Sequence, residues 1–164
     1  MIRMPDHDKA LRQQLTTLLN GEGAHIDLEG ALADVPSEAR GKKAANIPHT
    51  IWRLLEHIRL AQHDILEFCT NPNYKEPKWP DDYWPKGEAP GSAHEWDASL
   101  EAVDRDLERM KALVNDPKVD LFAKIPWGDG QTYLREALLV ADHNAYHVGE
   151  IVAVRRALGA WPEK

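Results

Sequence analysis

The chain of 164 residues has a single cysteine, Cys69, and that scarcity is its first constraint. One thiol cannot close an internal disulfide or build a multi-cysteine zinc site, so a reducing, cytoplasmic setting is the default expectation. Long apolar runs are missing too. The longest, Ala137-Leu138-Leu139-Val140-Ala141, falls far short of the ~20 residues a bilayer crossing requires. Met1-Ile2-Arg3-Met4-Pro5-Asp6 lacks the apolar stretch of a secretory signal. Basic charge is also in deficit: 20 Lys+Arg stand against 27 Asp+Glu, a formal net charge of −7, and no basic block of five or more residues occurs. Phosphate backbones are held by clustered Lys and Arg, so nucleic acid is a poor first candidate for a partner.

Hydrophobic residues at 43% and charged residues at 29% are globular proportions. A length near ~150 residues suits one core, and residues 1–164 read as one domain. The unusual content is eight histidines and six tryptophans.

Four stretches carry helical periodicity. The first covers about 6–20, with Leu11, Leu15, Leu18 and Leu19 on one face, Asp6 or Asp8 to cap it and Asn20-Gly21 to stop it. A short helix within 26–33 and a turn at Val35-Pro36-Ser37-Glu38 follow. The second long helix is expected from Pro48, in its first turn, to Cys69. Residues 71–92 hold five prolines, two glycines, Trp79, Tyr83 and Trp84, which predicts a long ordered connection whose aromatics pack on the helices. The third helix spans 93–114, with Ser92 and Glu95 forming a capping box. The fourth spans 132–158 and stops at Gly159. No strand-like alternation reaches a useful length. The expected architecture is all-α, an antiparallel four-helix bundle.

The last helix is the most informative. At 100° per residue, Leu134, Leu138, Ala141, Ala145, Val148 and Val152 form one apolar stripe. Val140, His143, His147, Ile151, Val154 and Leu158 form a second, nearly opposite. His143 and His147 are one turn apart on one face, a spacing that lets two imidazoles bind one divalent ion. It equally suits two hydrogen-bonded histidines that break the core. Glu is missing from between them, so this is not the HExxH pattern of zinc proteases. A third ligand stays open on spacing alone. His57 lies at the edge of the second helix's apolar face, His49 and His63 point towards solvent, and His25 is a loop residue held in reserve.

Trp52-Arg53-Leu54-Leu55-Glu56-His57-Ile58, followed much later by Asp142-His143-Asn144-Ala145-Tyr146-His147-Val148-Gly149-Glu150-Ile151, resembles the two signature helices of the DinB-like superfamily. The likeness runs from the first helix to Leu158-Gly159. It implies a four-helix bundle with a divalent metal held by His57, His143 and His147. It also implies a homodimer formed through helix faces, which would account for the second stripe. The aromatic connection 71–92 departs from the compact pattern of the superfamily.

Three neutral imidazoles leave the ion's charge uncompensated and a coordination position open, unlike a closed four-ligand structural site. Zinc or nickel fit this donor set first, and cobalt or iron also fit. The expected function is a metal-dependent enzyme acting on a small molecule, a hydrolase or a thiol transferase. Glu150, next to Gly149, is the candidate to orient a histidine or shuttle a proton. Trp52, Trp79, Trp84 and Trp127 are candidates to line a pocket, and Cys69 is expected to be buried and inert. The alternative is a non-catalytic binding or stress-response module in which the metal only ties helices together.

Overall fold

The computed structural model describes residues 5–162, with side chains from His7 onward. Five α-helices follow in order: α1 (Pro5–Leu19), α2 (Leu28–Leu32), α3 (Ile51–Thr70), α4 (Ala93–Asn115) and α5 (Tyr133–Ala157). Single 3-10 turns occupy Ser37–Ala39 and Asp81–Tyr83. Among the described residues there is no strand, and Lys124 and Thr132 form an isolated bridge at the entry to α5. The fold is all-α, as the periodicity predicts.

Hydroxyl caps set three helix starts. The side chains of Thr50, Ser92 and Thr132 accept the backbone N–H of Arg53, Glu95 and Arg135, an arrangement worth about 1 kcal/mol each. The first of these moves a boundary. α3 begins at Ile51 because Thr50 is its cap, so Pro48 lies ahead of the helix and not in its first turn. Asp8 does not cap α1 either; it sits inside the helix and takes Arg12 Nε at 2.8 Å. The Asp6 side chain lies outside the described residues. Glu95 reaches back as a capping box requires, but to the Gly91 N–H. Gly159 closes α5 at φ +67°, a left-handed value natural to glycine.

α3 packs on α4 and α5, α1 lies against α4 and α5, and α2 covers α5. The core divides into two apolar clusters. One gathers Ile51, Trp52, Leu55, Ile58, Trp96, Val103, Val148, Ile151 and Val154. The other gathers Leu15, Ile65, Leu66, Cys69, Met110, Val140 and Ala141. Between them lie the buried amides of Gln62 on α3 and Asn144 on α5. Gln62 Nε2 donates to the Val103 carbonyl of α4 at 2.7 Å, and Asn144 Nδ2 donates to Gln62 Oε1 at 2.9 Å. A carbonyl only accepts, so this first bond fixes both amide orientations.

α5 does not keep two separate apolar stripes. Ala141 and Val148 of the first join Val140, Ile151 and Val154 of the second in one broad buried face. Leu138 is left 42% exposed. No described helix is long and apolar enough to cross a membrane.

Candidate metal centre

α3 and α5 each bring histidine to the same point. His57 faces inward from the second turn of α3 and is buried, where spacing had placed it only at the edge of the apolar face. His143 and His147 follow one another on α5, the first partly buried and the second buried. The three rings meet edge to face, with centroids 4.5 to 4.8 Å apart. Their ligand atoms all lie within 4.8 Å of one another, a group that could hold a metal ion. His57 Nε2 and His143 Nε2 are 3.0 Å apart, close to the ~3–3.5 Å that separates nitrogens sharing one ion through bonds of ~2.1 Å.

Hydrogen bonds on the far side of two rings decide which nitrogen is bare. His57 Nδ1 is 2.7 Å from the Tyr83 carbonyl oxygen, which can only accept, so this nitrogen carries the proton. His147 Nδ1 is 2.5 Å from Glu150 Oε2 and donates to it. Both neutral rings therefore turn an Nε2 lone pair towards the common point. His143 Nδ1 is buried with no hydrogen-bond partner among the described residues.

The electrostatics favour neutral rings. Burial, then the neighbouring imidazoles of His147 and His57, push His143 down to about 4. Burial followed by His57 and His49 pushes His147 down to about 4. Burial also lowers His57, opposed by its bond to the Tyr83 carbonyl. The carboxylate of Asp142 opposes the lowering at His143.

Trp84, from the connection between α3 and α4, lies flat on His57 at 3.9 Å and 2°. His49 stacks on the same indole at 4.2 Å and 19°. Two near-parallel imidazoles that close to one indole occupy its opposite faces, which keeps His49 behind the indole and away from the triad. His49 is thus not solvent-directed as expected. It precedes α3, so helical angles do not apply to it, and its Nδ1 is buried with no hydrogen-bond partner among the described residues. His63 is half exposed and pairs with Asp106 at 2.7 Å.

Other expectations resolve differently. His25 lies in a separate cavity of about 430 Å³, lined also by Leu18, Asp104, Asn144 and Val148, and bonds the Ile26 carbonyl at 2.7 Å. It does not fold over the triad. Of the four tryptophans, Trp84 alone stacks on the cluster. Trp52 packs in the core beside Trp96, Trp127 Nε1 donates to the Phe68 carbonyl, and Trp79 is 66% exposed. Tyr146 stands edge-on to His147 at 5.0 Å while largely exposed. Cys69 is buried, and its thiol is pushed up to about 12 by burial and then Glu136.

An all-α fold with three convergent histidines from two helices defines a class of helical protein able to hold a metal ion. The sequence profile of the DinB superfamily matches residues 22–151, and the chain belongs to that superfamily. Neither curated proteins nor solved structures give a match.

Proposed function

We propose that His57, His143 and His147 hold one divalent cation, zinc or nickel before cobalt or iron, as the centre of a metal-dependent enzyme. The reaction we assign is hydrolysis of, or thiol transfer to, a small molecule. The supporting observation is the pair of Nδ1–H bonds, to the Tyr83 carbonyl and to Glu150, which leave the Nε2 atoms of His57 and His147 with their lone pairs, His57 Nε2 lying 3.0 Å from His143 Nε2. A divalent ion there supplies a Lewis acid with room for a further ligand. The protein's own groups do the rest. Tyr83 and Glu150 orient the rings, and Trp84 keeps water from one face of His57. Glu150, on the Nδ1 side of His147, acts through that ring by holding its orientation and raising its basicity.

Elemental analysis of untagged protein beside His57→Ala tests the ligand set. The expected result is one metal per chain in the parent and a large loss in the variant; equal metal content removes the proposal. Cobalt substitution then separates enzyme from passive module. A visible spectrum that shifts on adding a thiol or small anion supports an exchangeable position, and an unresponsive spectrum favours a binding or stress-response module. We further propose a single domain, a reducing cytoplasmic setting in keeping with one buried cysteine, and a homodimer using the exposed Leu138 side of α5. Light scattering after size exclusion tests the dimer.

A further inference from the structure

The 71–92 connection touches the histidine cluster through its backbone. Tyr83 lies in its 3-10 turn, Asp81–Tyr83, packed on α3. Its carbonyl takes the His57 Nδ1–H at 2.7 Å, and its hydroxyl donates to Asp64 Oδ2 at 2.7 Å. His57 and Asp64 are seven residues apart on α3, two turns, so they share a helix face. Tyr83 therefore spans those two turns and is fixed at both ends. Asp64 uses its other oxygen, Oδ1, to accept the Tyr74 hydroxyl, also at 2.7 Å. The next residue, Trp84, stacks on His57. At the start of α3, Thr50 Oγ1 donates to the Glu88 carbonyl at 2.6 Å, and Arg53 Nη1 donates to the Pro85 carbonyl at 3.2 Å. The segment carrying Tyr83 and Trp84 is thus tied to α3 on both sides of the histidine.

We propose that Tyr83 is a positioning residue for His57: anchored on Asp64, it holds the imidazole in its Nδ1–H tautomer and aims Nε2 at the metal centre. This rests on the ligand assignment above, yet it makes a claim about the metal-free protein as well. Tyr74 supplies an internal control. It shares the Asp64 anchor, but His57 is bonded to the carbonyl of Tyr83 and not to that of Tyr74.

Long-range proton–nitrogen NMR of the histidine rings in chelated protein reads the tautomer directly. The parent should show His57 protonated at Nδ1 with slow exchange. Tyr83→Phe should lose that protection and Tyr74→Phe should keep it. Cobalt titration gives the second readout: about tenfold weaker binding and an altered visible spectrum for Tyr83→Phe, with Tyr74→Phe near the parent. A His57 protonated at Nε2 in the parent overturns the proposal without any variant, and so do two variants that behave alike. A parent that binds no cobalt while the tautomer pattern holds refutes the metal assignment and leaves the positioning role intact.

Discussion

Acid should unfold the metal-free protein earlier than its surface composition suggests, and His143 sets the size of the effect. Its imidazole is held down to about 4 by burial and then by His147 and His57, against ~6.5 for a free side chain. The folded state resists the proton while the unfolded chain accepts it. Stability from this ring is therefore complete above about pH 6.5, declines as pH falls towards about 4, and changes no further below that. The gap corresponds to about 3 kcal/mol, of which roughly 2–3 is lost by about pH 4.5. His147 meets the same repulsion, so the two rings do not contribute independently. The groups facing them are His57 from α3, His49 behind Trp84, and the carboxylates of Asp142 and Glu150, which oppose the lowering. Urea unfolding in chelator, for the parent and His143→Gln, isolates the effect. Between about pH 7 and about pH 4.5 the parent should lose about 2 kcal/mol more than the variant. Parallel curves would refute the reasoning.

Three further outcomes follow from the same contacts. Zinc at about 100 times its dissociation constant should stabilise the fold by about 2.7 kcal/mol, roughly 5–10 °C in Tm, and chelation should reverse this. His143→Ala should show no such response in the same melts. Glu150→Gln keeps an acceptor for His147 Nδ1 but removes the charge, so calorimetric zinc binding should weaken about tenfold while the chelated Tm stays near the parent's. Asn144→Ala strips the donor from Gln62 Oε1 inside the core; a loss of about 1–3 kcal/mol is expected, and an unchanged urea midpoint would count against the buried chain of amides.

Much of this was legible because helices obey a period. The leucine spacing of α1, the Ser92 start of α4 and the Gly159 stop of α5 lie close to where local chemistry puts them. The short α2 at Leu28–Leu32 falls inside the expected 26–33. Errors gathered where the period does not apply. Pro48 and His49 have no helical positions, because Thr50 caps α3 at Ile51. On the helical wheel His57 lies only at an edge, because Trp84, His143 and His147, which pack around its ring, stand where the wheel cannot place them. Gln62 and Asn144 carry no sequence signal of their role, since a buried amide looks like a surface one until its partners are known. Glu150 was a candidate from its distance to His147, and the structure brings the two into contact.

That pair of amides has a mechanical corollary. Gln62, Asn144 and the Val103 carbonyl tie α3, α5 and α4 together across the middle of the molecule. Apolar surfaces tolerate sliding, whereas a one-turn slip of α5 would break this triple junction and strand its polar atoms away from water. The junction acts as a vernier for the helices, keeping imidazoles from distant parts of the chain level with one another.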